Sequence, residues 1–329
     1  MTTTTRQPFF IDENKDKEFN ELGYLVAGAI SENSITKLID IFTSLNIPDS
    51  YGFGFNVGLN TNEHHIRKTM QDAIKEILEP EVTKLLNNKY VFTATFMNKT
   101  PQGTHLLPAH QDWTFTDETK HDSVMCWIPL VDVDMKNGCM CFVPYSNQLF
   151  NYTRPFPFPF HKNPVKQNET KLLGFMRPEP MKMGQMVFIN HKTAHASFPN
   201  SSTFDRLAVG LSIAPKDELL HVYCLNPKNT GETMFKYDVD TYFLVNYPHK
   251  TISQLYFSET DYAFSYKILL EQKYELPKLS WEQIFTFFTQ KGLTYNTQLV
   301  PVETDVTPTT ESSKPTFIQR IKTLFTFIK

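Results

Sequence analysis

Apolar residues follow two rhythms along this chain, and each change of rhythm marks a boundary. Ile35, Leu38, Ile39 and Phe42 recur at i, i+3, i+4 and i+7 behind Ser31 and Glu32, which predicts an amphipathic helix over about 31–44. Ile66, Met70, Ile74 and Ile77 share one face of a second helix from about 63 to 78, and Pro80 is expected to interrupt it before 81–87 resume. The glycine- and aromatic-rich stretch 51–59 reads as a strand or ordered loop with close backbone approach. Residues 1–17 read as a mobile N-terminal leader.

From Tyr90 the rhythm shortens. Runs rich in β-branched and aromatic residues at 90–97, 123–131, 139–144, 186–189 and 207–213 read as strands, and Asn137-Gly138 is a turn signal before one of them. Helices followed by several short strands suggest a mainly β domain, a sandwich or jelly roll with its N-terminal helices outside. The Pro- and Phe-rich interval 151–180 is too long for a turn and reads as an excursion over the barrel mouth. After about 250 the pattern is helical again, a C-terminal helical extension (251–300) with one helix over 252–272 and another opened by Ser280 and running to about 291. Residues 301–316 look like a linker. Residues 317–329 set Phe317, Ile318, Ile321, Leu324, Phe325 and Ile328 on one stripe beside Arg320, Lys322 and Lys329, a basic amphipathic helix suited to a weak membrane-surface or carrier-protein contact, or to packing back on the domain.

Composition narrows the classes. A formal charge of −3 over 329 residues disfavours a whole-chain nucleic-acid binder. Four cysteines are too few for a disulfide framework, so a reducing, cytoplasmic setting is the expectation. No apolar run approaches the roughly 18 residues of a membrane span, and residues 1–6 lack the apolar core of a secretory signal. The 28 Phe, 14 Tyr and 3 Trp must largely be buried, but composition does not say what they enclose.

Candidate chemistry begins at His110-Gln111-Asp112. If the segment is extended, period 2 puts imidazole and carboxylate on one side, two of the three ligands of a facial iron site. H-x-D alone is a weak signal, and the plain alternative is a surface strand with two polar side chains. A third ligand must come from a distant strand, and His191 and His195 both follow the apolar run 186–189. The two could also form a helical i, i+4 zinc pair, although the position after the first histidine is Lys192 rather than the glutamate of that motif. Arg206 opens the following apolar strand and suits a bidentate carboxylate clamp, against the alternative of an edge arginine paired with Asp205 in solvent. Trp113, Phe115, Phe53, Phe55 and the run Phe156, Phe158, Phe160 are candidates for an aromatic substrate pocket, or ordinary core and lid packing.

Taken together these residues resemble the phytanoyl-CoA dioxygenase family of non-haem Fe(II)/2-oxoglutarate oxygenases. The resemblance runs through Glu21-Leu-Gly-Tyr-Leu-Val26, Met97-Asn-Lys-Thr-Pro101, Pro108-x-His-Gln-Asp112, Cys126-Trp-Ile-Pro-Leu130, Asn137-Gly-Cys-Met-Cys-Phe-Val-Pro144 and His195-x-Ser197…Asn200…Arg206, in family order over about residues 18–215. Two departures stand out: Pro144-Tyr145-Ser146-Asn147 where P-G-S-H is usual, and Gly184-Gln185 where G-D is usual.

The resemblance implies a double-stranded β-helix (jelly roll, cupin-like) core, mainly β with flanking helices, over 18–250. It implies Fe(II) held by His110, Asp112 and His195, and 2-oxoglutarate gripped by Arg206 with Gln111, Trp127 and Ser197 beside it. The implied reaction consumes dioxygen, decarboxylates 2-oxoglutarate to succinate and CO2, and hydroxylates a small organic substrate: an amino acid, a lipid or acyl group, or a natural-product intermediate. Retention of Asp112 favours hydroxylation over halogenation. Desaturation, epimerisation or cyclisation at the same iron are alternatives, and a non-catalytic cupin-like binding protein is the rival from another class.

Overall fold

The computed structural model describes residues 6–48, 54–157 and 162–300. Its centre is a jelly roll of two facing antiparallel sheets. The strands are β1 (Tyr24–Ala29), β2 (Phe55–Val57), β3 (Lys89–Lys99), β4 (Leu107–His110), β5 (Val124–Pro129), β6 (Met140–Phe142), β7 (Arg177–Glu179), β8 (Gln185–Asn190), β9 (His195–Ser197), β10 (Arg206–Pro215), β11 (Leu220–Leu225), β12 (Thr233–Val239) and β13 (Ile268–Lys273). The major sheet runs β1-β8-β5-β10-β3-β2, the minor sheet β4-β9-β6-β7, and a third sheet β11-β12-β13.

Why the strands of the major sheet read as near-continuous apolar runs is visible in which side each residue buries. Val124, Cys126 and Ile128 of β5, with Leu207, Val209 and Leu211 of β10, pack outward under the helices α1 (Glu13–Leu22), α2 (Glu32–Leu45) and α3 (His64–Thr83). Met125, Trp127 and Ala208 point inward, in one cluster with Met140 and Phe142 of the minor sheet. Both faces are covered, so neither shows the polar alternation of a half-exposed strand.

Several expectations are corrected. Helix α3 continues through Pro80 to Thr83, because Ile74, Leu78 and Val82 are all fully buried on one stripe and their packing offsets the lost backbone hydrogen bond. The leader is anchored from residue 6: Phe9 and Phe10 are 1% exposed against Phe19 and Phe188, Arg6 pairs with Asp16 and Asp122, and Asp12 caps α1. The helix expected over 252–272 ends at Phe257, and Ile268–Lys273 instead forms β13 beside β12. Tyr262, Phe264 and Tyr266 between them pack on the third sheet at a spacing of two, the rhythm of extended chain. The third sheet therefore crosses the boundary drawn at 250. The helix opened by Ser280 spans Trp281–Gln290 behind a capping box. Phe53, Phe158, Phe160, the linker 301–316 and the basic segment 317–329, with its membrane or carrier contact, lie outside the described residues.

At both motif departures the chain has a residue with positive φ. Tyr145 takes the left-handed conformation (φ 66) where the family has glycine, and Ser146 Oγ accepts from Ala194 N–H just before His195. Gly184 keeps its positive φ while Gln185 Oε1 accepts from Lys182 N–H. Gly23 is required: a Cβ there would lie 2.4 Å from Thr193 Oγ1, and its carbonyl accepts from Thr193 Oγ1 and Asn190 N–H. That contact seats the 190–195 turn against α1.

Candidate metal centre and its surroundings

β4 and β9 are antiparallel neighbours with His110 opposite His195, and Asp112 follows β4 by two residues. The candidate ligand atoms of His110, Asp112 and His195 all lie within 4.8 Å of one another. His195 Nε2 stands 3.8 Å from Asp112 Oδ2.

Each imidazole is turned by the main chain. His110 Nδ1 donates to Pro108 O at 2.8 Å and His195 Nδ1 to Thr193 O at 3.0 Å. A carbonyl can only accept, so the proton sits on Nδ1 and the Nε2 lone pair is free for a metal. Burial, then the neighbouring His195, pushes His110 down to about 4, which keeps the ring neutral at physiological pH. Burial alone would raise the Asp112 carboxyl, but its neighbours His195, His191, His110 and Arg154 outweigh it and the net direction is down. Asp112 Oδ2 is buried with no hydrogen-bond partner. A carboxylate with an orphaned oxygen and two imidazoles whose Nε2 atoms are open fit a divalent cation.

Asp112 is also fixed through its backbone. Its N–H donates to His191 O at 3.1 Å, and its carbonyl accepts from Arg154 Nε at 2.7 Å. His191 Nδ1 donates to Trp113 O at 2.7 Å. His191 is thus a brace, and residues 191–195 form a turn into β9 rather than a helical zinc pair. Arg154 is fully buried, donates to Tyr152 O and pairs with Glu118. The Pro- and Phe-rich excursion carries it, an address that sequence reading passed over.

Arg206 points into the barrel, 1% exposed, with its guanidinium carbon 5.3 Å from the Trp127 ring centre and 5.9 Å from that of Phe55. Asp205 lies on the other side and accepts from Asn98 Nδ2, so the solvent ion pair does not form. Burial lowers Arg206 to about 10. Arg206 Nε, Ser197 Oγ, Trp127 Nε1 and Gln111 Oε1 are all buried without a partner, a donor-rich lining that fits a small polar anion. Gln111 Nε2 donates to Phe150 O and Lys192 O, which ties the chain just before the excursion to the 190–195 turn.

The aromatic candidates separate. Trp113 stacks on Phe156 at 4.6 Å and 7° beside Asp112. Phe115 is 3% exposed and packs in the core under the third sheet, 5.0 Å from Phe92. Phe55 lies at the arginine end of the barrel, stacked on His105. A cleft of about 490 Å³ opens between Pro164, Gln167 and 276–283, and none of the candidate ligands lines it.

The profile of the phytanoyl-CoA dioxygenase (PhyH) family matches residues 36–208, more than half of the chain. The chain belongs to this family. The family's cofactors are Fe(II), 2-oxoglutarate and dioxygen. Among solved structures, the chain is similar to the non-haem α-ketoglutarate-dependent carbocyclase SnoK from nogalamycin biosynthesis at 18% identity, over 65% of this chain and 89% of that one, with a TM-score of 0.44. HygX from Streptomyces hygroscopicus, with nickel, 2-oxoglutarate and hygromycin B bound, matches at 14% identity over 63% and 88%, TM-score 0.45. The epimerase SnoN in complex with Fe3+, α-ketoglutarate and nogalamycin RO matches at 19% identity over 63% and 85%, TM-score 0.44. No curated protein sequence matches the chain. Among the described residues no helix is long and apolar enough to cross a membrane.

Proposed function

We propose that this family member is an Fe(II)/2-oxoglutarate-dependent oxygenase that hydroxylates a C–H bond of a small organic substrate. The observation that carries the reading is the convergence of His110, Asp112 and His195 within 4.8 Å, each with an open ligand atom, in the barrel that also buries Arg206 without an acidic partner. Iron, 2-oxoglutarate and dioxygen together supply an oxidant for the C–H bond as 2-oxoglutarate becomes succinate and CO2.

The chain's own part is to hold and to exclude. His110, Asp112 and His195 would hold the metal through His110 Nε2, His195 Nε2 and the Asp112 carboxylate. Arg206 binds the far carboxylate of 2-oxoglutarate, with Ser197 Oγ and Trp127 Nε1 as donors and the Trp127 ring as a wall. Gln111 holds the turn that carries His195. Trp113 and Phe156, stacked beside Asp112, keep bulk water from that side.

Anaerobic addition of Fe(II) and 2-oxoglutarate should give a weak visible absorption band, and air should then give succinate. Neither band nor succinate would refute the reading. With a substrate in hand, hydroxylation adds one oxygen to the product mass, whereas desaturation or ring closure removes two hydrogens and epimerisation leaves the mass unchanged.

A further inference from the structure

Lys99 ends β3 directly opposite Arg206 on β10, and cross-strand partners in an antiparallel pair share one face of the sheet. Both side chains are 1% exposed and face the barrel interior. Lys99 Nζ donates to Phe198 O at 2.6 Å, Ser197 O at 2.8 Å and His105 O at 3.3 Å. Three acceptors match the three N–H bonds of an ammonium, whereas a neutral amine has only two N–H bonds and turns its lone pair on one of the carbonyls.

The geometry suits the charged form, yet among the described residues no carboxylate balances it. Around Lys99 stand Arg206 from β10, the Cys139 and Cys141 thiols from the β6 segment, His105 from the loop after β3, and the Phe55 ring of β2 at 5.6 Å. Among the described residues neither Lys99 nor Arg206 makes an ion pair. Two adjacent buried cations without an anion are costly and call for a partner of matching charge. Ser197 links them to the open donors, since its carbonyl accepts from Lys99 while its hydroxyl is unpartnered.

We propose that Lys99 is a second cation of the 2-oxoglutarate pocket, acting with Arg206 to make the pocket demand a dianion. The proposal rests on the oxygenase reading above. Burial, then Arg206, pushes Lys99 down to about 6, so part of its charge is missing until the dicarboxylate arrives. The anion restores it, and binding takes up a proton. Affinity for 2-oxoglutarate then falls as pH rises above about 6, by up to about tenfold per pH unit. The hydrogen bond with Cys139, then burial, pushes the Cys141 thiol up, while the same hydrogen bond lowers Cys139; His105, lowered by burial and then by Lys99, is a further group near Lys99 able to take the proton.

The test is calorimetric titration of 2-oxoglutarate into the full chain loaded anaerobically with Fe(II), at pH 7.5, in HEPES and in Tris. The wild type is expected to take up close to one proton. Lys99→Met should abolish the uptake, bind at least about tenfold more weakly, and lose most of the preference for 2-oxoglutarate over 2-oxobutyrate, which lacks the second carboxylate. Lys99→Arg should restore affinity without uptake, and His105→Gln should keep both. Wild-type binding with no proton uptake and no pH dependence would overturn the role of Lys99 while leaving the oxygenase reading intact. So would a folded Lys99→Met with wild-type affinity. A wild type that binds no 2-oxoglutarate at all would remove both. If Lys99→Met does not fold, the wild-type proton count and the Lys99→Arg and His105→Gln titrations still decide.

Discussion

Arg154 donates from Nε to the main-chain carbonyl of Asp112 at 2.7 Å, so a side chain delivered by the Pro- and Phe-rich excursion sets where a candidate metal ligand stands. The same arginine pairs with Glu118, and its N–H and carbonyl bond Thr114 on both sides, which closes residues 112–118 into one braced loop. Phe156, two residues on, is hydrogen-bonded to β11 through Tyr223 and Leu225. The third sheet, which the family profile does not cover, is thereby tied to Asp112.

Removing Arg154 should separate stability from metal binding. Arg154→Met leaves Glu118 buried and unpaired, at a cost of about 3–5 kcal/mol. In Arg154→Met/Glu118→Leu the stranded charge is gone and most of that stability should return, but the Asp112 loop stays unbraced. Fe(II) affinity is expected to fall about 10- to 100-fold in the double variant. Denaturant unfolding and anaerobic metal titration measure the two effects. Wild-type metal affinity in the double variant would show that the brace does not serve Asp112.

Asp112→Ala should abolish turnover and leave the fold intact. The substitution removes a carboxylate whose Oδ2 accepts no hydrogen bond, so the metal-free protein should stay folded with only a small change in melting temperature. Succinate formation and thermal melting of the metal-free chain check both halves. Retained turnover would remove Asp112 from the site.

What the sequence showed and what it hid follow from the range of the interactions. His110 and Asp112 share a strand end, and Arg206 opens a strand, so period and phase alone set their directions. The choice between His191 and His195 was different, because it depends on a turn seated by Gly23 and Ser146, far off in the chain. Lys99 was readable in hindsight: it lies in phase with inward-facing Met97 on β3. Arg154 was not, because its partners come from residues 112, 118 and 152 and no local rhythm joins them. Ile268–Lys273 carries no strand signal because a strand at a sheet edge, exposed on both faces, has no one-sided pattern.

Arg206→Met should raise the 2-oxoglutarate requirement far more than the Fe(II) requirement. An unpaired buried guanidinium is a liability without its anion, so the variant is also expected to melt higher in the absence of 2-oxoglutarate, by an amount of about 1 kcal/mol or more. Adding 2-oxoglutarate should raise the melting temperature of the wild type and leave that of the variant unmoved. Equal losses of iron and 2-oxoglutarate binding would contradict the assignment.

Acid should unfold the metal-free protein earlier than its carboxylates alone would require. Burial holds His249, packed 4.8 Å from Trp113, at about 4, and burial with His195 holds His110 at about 4, both below the usual histidine value near 6.5. Between those values the unfolded chain binds protons that the folded chain refuses. The stability these neutral rings contribute is therefore complete above pH 6.5 and is lost as pH falls toward 4. Each histidine adds up to about 1.4 kcal/mol per pH unit to that slope. Denaturant unfolding in the presence of chelator at half-unit steps from pH 7.5 to 4 should show the decline, and His249→Phe, which keeps an aromatic ring beside Trp113, should remove one proton's share of it. An unchanged slope in that variant would mean that His249 is already protonated in the folded protein.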